Sequence, residues 1–404
     1  MLGNLFPVKS QLWRPALCLA PIQKREKDVT KQNAPFRFDV VGSFLRPDYL
    51  RSARASFERG EISADQLKEV EDHAILDLIA KEKQAGLRCI TDGEFRRLTW
   101  HLDFMWGIEG VRRVKSETGN TTFEGEAAAI DDVTIEGRLS AKNHPFIEHF
   151  KFVKAQEDEN TVAKLTIPSP GQFYAQFTGA QELANTLEVF GTKEAFAEDV
   201  VAAYSEFVAE FYAAGGRNLQ FDDCTWGGFV NPDMAKQLTG LSTQEELKAY
   251  MNTLVDINNR VIASKPGDDL AINTHACRGN YHSTYFSSGA YDSVADPLFT
   301  SENVDAYFLE YDDERSGGFE PLAKVSGQKK VVLGLITTKS PKLEDKEAVI
   351  ARIREAEKYV PLDRLYLSPQ CGFASCEIGN KLTEDEQWAK VALVREIAQE
   401  VWGE

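Results

Sequence analysis

Eight strand-like segments alternate with helical ones along the chain, and a polar or ionisable residue stands at the C-terminal end of nearly every strand. Together these predict an α/β chain folded as a (β/α)8 TIM barrel. A third observation, alternating polar and apolar residues between the second and third segments, predicts a β-hairpin insertion at about 105–160. A chain of 404 residues with 43% hydrophobic content suffices for one such barrel with insertions. An open doubly wound sheet is the rival, but no Gly-x-Gly-x-x-Gly turn follows the first strand.

The first strand is expected at 38–44, ending in Val41-Gly42-Ser43-Phe44. An amphipathic helix follows over about 63–85, with Ser63 as N-cap and Gly86 as terminator. The second strand, 88–91, runs into Asp92-Gly93-Glu94. In the insertion, residues 133–139 and 149–152 alternate and are expected to be exposed antiparallel strands. The third strand, 162–167, closes at Pro168-Ser169-Pro170-Gly171. A helix over 193–214 ends at Gly215-Gly216, and the fourth strand, 218–221, runs into Asp222-Asp223. Helices fill about 231–264 before the fifth strand, which contains Thr274-His275-Ala276-Cys277. The sixth strand, 306–309, precedes Glu310, and the seventh, 330–336, precedes Lys339-Ser340-Pro341. A helix over about 345–359 leads to the eighth strand, 364–367, which precedes Cys371, and a last helix covers about 383–401.

The net charge of −17 argues against nucleic acid and anionic membranes as partners, since the phosphate term would be repulsive. No apolar run approaches the roughly 20 residues that span a bilayer. The six cysteines (18, 89, 224, 277, 371 and 376) are scattered, which suits a reducing, cytoplasmic compartment better than a disulfide framework. The first 25 residues hold Lys9, Arg14, Lys24 and Arg25 and no acid, so a mitochondrial presequence is the alternative. That segment is poor in Ser and holds three prolines, and the expected organisation is a disordered tail over 1–34 before a catalytic barrel over 35–404. The sequence is compatible with a homo-oligomer and does not specify one.

In a strand, residues i and i+2 face the same way, so His275 and Cys277 point at one centre. On a barrel, Glu310 and Cys371 reach the same mouth from neighbouring strand ends. Imidazole, two thiolates and a carboxylate suit zinc. Each residue alone is more often structural, and it is the set that points to metal. Cys376 competes with Cys371 as the last ligand, and Cys371 is preferred because it lies nearer the strand end.

Seven motifs in order carry a resemblance: Val41-Gly42-Ser43-Phe44, Ile90-Thr91-Asp92-Gly93-Glu94, Gln220-Phe221-Asp222-Asp223, Thr274-His275-Ala276-Cys277, Phe308-Leu309-Glu310, Lys339-Ser340-Pro341 and Ser368-Pro369-Gln370-Cys371-Gly372. The chain resembles the C-terminal catalytic barrel of cobalamin-independent methionine synthase, in a short single-barrel form. The resemblance implies one zinc on His275, Cys277, Glu310 and Cys371, the set already reached from strand ends. It implies homocysteine held by Ser43, Glu94 and Asp222, with the carboxylates on its ammonium and the hydroxyl near its carboxylate. It implies methyl transfer from 5-methyltetrahydrofolate to the homocysteine thiol, giving methionine, as in 5-methyltetrahydropteroyltriglutamate–homocysteine S-methyltransferases. Zinc lowers the thiol pKa from its ordinary ~8.5, so that a thiolate is available.

Two departures stand out. Lys339 occupies the position of the family's His, so Lys339 is the candidate acid, with Asp222 as the second catalytic candidate. The full-length enzymes also carry an additional N-terminal barrel that this chain has no room for. The insertion is expected to take its place at the mouth, with Trp100, His101, Asp103, Phe104 and Trp106 either stacking a pterin or packing under the hairpins. Arg96 and Arg97 would meet folate carboxylates or neutralise local acids. The alternatives are zinc-thiolate alkyl transfer or C–S cleavage on another thiol, a methyl-corrinoid donor, and a non-catalytic structural-zinc barrel.

Overall fold

The computed structural model describes residues 33–115, 121–128 and 130–403. The chain opens with helices α1 (Asp48–Glu58) and α2 (Ala64–Ala85). Ser63 and Gln66 form a reciprocal capping box on α2, and Gly86 ends it in the left-handed conformation. Strand β1 (Cys89–Ile90) follows, then the insertion: α3 (Leu102–Trp106), β2 (Glu109–Val114), β3 (Thr121–Phe123), β4 (Glu126–Ala128), β5 (Asp132–Ser140) and α4 (Pro145–Lys154). Next come β6 (Val162–Ala163), β7 (Leu165–Pro168), α5 (Pro170–Thr178), α6 (Leu183–Phe190), α7 (Lys193–Ala213) and β8 (Asn218–Asp223). The rest comprises α8 (Thr225–Phe229), α9 (Pro232–Thr239), α10 (Gln244–Ala263), β9 (Ala271–Ala276), α11 (Ala295–Ser301), β10 (Ala306–Glu310), β11 (Lys330–Ile336), α12 (Lys346–Ala356), β12 (Leu365–Pro369) and α13 (Glu384–Trp402).

Strands β7 to β12 form one six-stranded sheet in sequence order, and the named ladders between them are all parallel. They are buried almost throughout, as a parallel sheet covered by helices requires. A separate parallel pair joins β1 to β6. The fold is thus mixed α/β with its C-terminal strand ends on one side, because every parallel strand delivers its last residue in the same direction.

Three expected elements differ. Residues 38–44 do not form a strand: Phe38 makes a single bridge to Leu367, and Asp39 N–H donates to Leu367 O at 3.0 Å. Beyond that point the segment is held by other groups, with Phe44 N–H on Gly93 O and the Thr91 hydroxyl on Gly42 O. The expected third strand is divided at Lys164, whose buried ammonium reaches Asp39 Oδ1 at 3.1 Å and the Val40 carbonyl. In the insertion, 133–139 is a strand as expected, with Val133, Ile135 and Leu139 buried, and β5 pairs antiparallel with β2. Residues 149–152, however, lie in helix α4. Pro145 starts it, His144 caps it, and Phe146, Ile147, Phe150 and Val153 bury one face at helical spacing.

The insertion is tied to the rest through α7: Leu139 N–H donates to Asp199, and the Ser140 hydroxyl to Glu206. Aromatic packing of Phe104 on Phe207 and of Phe150 on Phe211 continues the core beneath it. Of the expected tail, residues 1–32 lie outside the described residues; Ala34 is buried, its N–H on Asn218 Oδ1. No helix among the described residues is long and apolar enough to cross a membrane.

Candidate metal centre and substrate cavity

His275 and Cys277 stand at the end of β9, Glu310 at the end of β10, and Cys371 just beyond β12. Their ligand atoms all lie within 4.8 Å of one another, and all four residues are buried. Cys277 Sγ and Cys371 Sγ are 3.8 Å apart. Neither ring nitrogen of His275 makes a side-chain hydrogen bond of normal geometry, although both are buried. A buried imidazole whose nitrogens lack a hydrogen bond of normal geometry, beside two facing thiols, is costly as it stands and becomes satisfied around a cation. The donor set of one nitrogen, two sulfurs and one carboxylate fits a metal ion.

Surrounding groups fix the ligands. Glu310 accepts the Arg278 N–H at 2.9 Å on Oε2 and the Gln370 amide at 3.4 Å on Oε1. The Tyr291 hydroxyl donates to Ala276 O at 3.1 Å and accepts the Glu310 N–H at 2.9 Å, tying β9 to β10 at the ligands. Gly279 N–H points at Cys277 Sγ at 3.2 Å, which favours the thiolate.

A cavity of about 560 Å³ opens beside this group. Ser43, Glu94 and Asp222 line it together with His275, Cys277 and Cys371. Three expected substrate contacts and three expected ligands therefore share one space. Glu94 has φ +61°, a left-handed conformation that costs a non-glycine residue about 1–3 kcal/mol and that the surrounding structure sustains. Arg97, itself buried, holds Glu94 Oε1 at 3.2 Å and the Thr166 hydroxyl donates to the same atom at 2.9 Å, while Oε2 is buried without a partner. Burial pushes the Glu94 carboxyl up to about 7, with Asp222 adding to the rise and Arg97 opposing it. Burial likewise pushes Asp222 up to about 7, against the hydrogen bond from Gln220. Ser43 lies against Gly372, where a Cβ would stand 1.8 Å from its hydroxyl oxygen, so a side chain at 372 fits only if the Ser43 hydroxyl turns away.

Lys339 is placed elsewhere: its ammonium pairs with the Asp312 carboxylate at 3.4 Å, and it is not among the residues lining the cavity. Arg96 pairs with Glu71 and Asp72, so both arginines neutralise local acids. Trp100 and His101 line the cavity, whereas Phe104 packs in the core and Trp106 donates to Asp132 O. Asp103 accepts the N–H groups of Leu98 and Thr99. Cys376 lines the cavity but is not one of the four clustered ligands. Sequence reasoning missed Cys224, which also lines the cavity; its position directly after Asp222-Asp223 at a strand end was the available signal.

The family described as "Cobalamin-independent synthase, Catalytic domain" matches residues 189–400. YxjG of Bacillus subtilis, a protein without a characterised activity, is 41% identical over 379 residues, covering 93% of this chain and 97% of its own. The chain belongs to the cobalamin-independent methionine synthase superfamily. A solved superfamily protein from Listeria monocytogenes, provisionally assigned there as a vitamin-B12-independent methionine synthase, is 38% identical with a TM-score of 0.71. It covers 92% of this chain and 100% of its own. The B12-independent methionine synthase of Shewanella sp. W3-18-1, solved in complex with selenomethionine, shares the fold at a TM-score of 0.65 and 20% identity. It covers 91% of this chain and 98% of its own. Methionine synthase of Pyrococcus abyssi is 24% identical over 336 residues, 82% of this chain and 85% of its own. Membership makes the chain a methyltransferase of this superfamily.

Proposed function

We propose that the protein is a zinc-dependent methyltransferase that methylates the thiol of homocysteine to give methionine without cobalamin. On this reading, the parallel strands are the wall of a (β/α)8 barrel over 35–404, and their C-terminal ends are its active mouth. The observation that carries the reading is that one cavity is lined by three of the four clustered ligand residues, His275, Cys277 and Cys371, and by Ser43, Glu94 and Asp222.

His275, Cys277, Glu310 and Cys371 would hold the ion. When bound, zinc supplies a thiolate at neutral pH from a thiol whose ordinary pKa is ~8.5. The ligand set is anionic, which leaves substrate sulfur nucleophilic. Glu94 Oε2 and Asp222 take the α-ammonium, and the charge of that ammonium draws both carboxyls back towards ionisation. Arg97 keeps Glu94 pointed into the cavity through Oε1 and leaves Oε2 for the substrate. The Ser43 hydroxyl faces the substrate carboxylate. With ammonium and carboxylate fixed, the side-chain sulfur is directed towards Cys277 and Cys371.

The site roles proposed here exclude Lys339, whose ammonium is committed to Asp312. Incubating the zinc-loaded protein with homocysteine and a panel of methyl donors should yield methionine from at least one of them. Methionine from none would contradict the proposal.

A further inference from the structure

The cavity is larger than an amino-acid thiol needs, and its remaining walls belong to the donor. Among the described residues that line it, the carboxylates are Glu94, Asp131, Asp132 and Asp222, and there is no Lys or Arg. Asp131 is paired with Arg113 at 2.6 Å. Asp132 has no basic partner among the described residues, and its Oδ1 takes only the adjacent Val133 N–H. The rings of Trp100, Phe123, Phe229 and Tyr250 line the same cavity. Carboxylates and aromatic rings around one cavity attract an organic cation and repel an anion. The net charge of −17 extends the same preference outwards.

A second observation concerns the leaving group. An amine donor leaves as a poor anion unless it is protonated. Lys339 is paired with Asp312 and does not line the cavity. His101 lines the cavity, but desolvation holds its pKa well below the ordinary value, so its imidazole is neutral at pH 7 and has no proton in excess to give. Glu94 and Asp222 are assigned to the substrate ammonium on the homocysteine reading, which leaves no charged acid on the wall for a leaving group. The wall thus suits a donor that departs as a neutral molecule.

We propose that the methyl donor is a methylsulfonium cation, bound at its charged centre by Asp132 and the aromatic rings that line the cavity. This rests on the homocysteine reading given above. The homocysteine thiolate sulfur attacks the methyl carbon and forms the new C–S bond. The bond from that carbon to the sulfonium sulfur breaks, its electron pair stays on the departing sulfur, and a neutral thioether leaves. No proton, oxidant or reductant is needed.

The test uses the full zinc-loaded chain, homocysteine, and donors carrying a deuterated methyl group. These are S-methylmethionine, trimethylsulfonium, and 5-methyltetrahydrofolate as mono- and triglutamate, with labelled methionine as product. The sulfonium donors should give kcat/KM values at least about tenfold above either folate, falling as salt rises because the attraction is screened. Trimethylsulfonium should also bind directly in calorimetry. Asp132→Asn should lower its affinity and kcat/KM by roughly tenfold, the loss of one charge pairing, and leave the homocysteine KM unchanged. Label transfer from folate at a rate equal to or above that from sulfonium, or an unaltered Asp132→Asn enzyme, would overturn the donor proposal while leaving homocysteine methylation intact. No labelled methionine from any donor would overturn both.

Discussion

At the scale of single residues, the two buried carboxylates carry the clearest consequence. Glu94 has a pKa raised from 4.5 to about 7 by burial, so the free native protein holds a proton that the unfolded chain has lost across that window. The unfolded state binds fewer protons there, so stability falls as pH rises from about 4.5 to about 7. Glu94→Gln should flatten this dependence in thermal melts, while an unchanged slope would place the effect elsewhere. Homocysteine affinity runs the other way, strengthening as the carboxylates ionise. The same substitution should raise the homocysteine KM by roughly ten- to a hundredfold, the loss of one charge-assisted hydrogen bond, with a smaller effect on kcat. Metal binding separates the two neighbouring cysteines. Cys371→Ser should reduce retained zinc after dialysis by at least about tenfold, and Cys376→Ser should leave it near wild type, since Cys376 lies outside the clustered ligands. The reverse pattern would exchange their roles.

At the scale of elements, the site was legible where a side chain's direction follows from backbone periodicity. His275 and Cys277 share a strand face, and Glu310 follows the same rule one strand along. Lys339 was not legible, because the sequence shows its place after β11 but not the Asp312 carboxylate that draws its ammonium aside. The stretch 149–152 misled because four residues cannot distinguish a period of 2 from one of 3.6. Pro145 and the wider spacing from Phe146 to Val153 decide for a helix. The expected third strand is divided where its pairing passes from β1 to β8, at Lys164, whose side-chain partner Asp39 is 125 residues away in sequence. Gly372 is a sharper test of how the strand ends fit together. Gly372→Ala would drive a Cβ to 1.8 Å from the Ser43 hydroxyl oxygen, so that hydroxyl must turn away or the segment must shift. The homocysteine KM should rise with zinc content preserved; an unchanged KM would show that Ser43 is not held at the substrate by this approach.

At the scale of the whole molecule, the parallel order of β7 to β12 explains why residues distant in sequence share one cavity. A parallel sheet sends all its C-terminal ends one way, and Asp222, His275, Cys277 and Cys371 lie at or just beyond such ends; Glu94 follows the separate strand β1, and Ser43 lies on the segment bridged to β12 at Phe38. The insertion adds a wall through Phe123, Ile130, Asp131 and Asp132, residues whose role the sequence did not disclose because hairpin pairing carries no signal of what it covers. The central claim is that a substrate thiol joins the His275, Cys277, Glu310 and Cys371 site. Zinc X-ray absorption on the loaded protein, with and without homocysteine, tests it most directly. The account predicts two sulfur ligands without the substrate and a third on its addition; an unchanged sulfur count would contradict it.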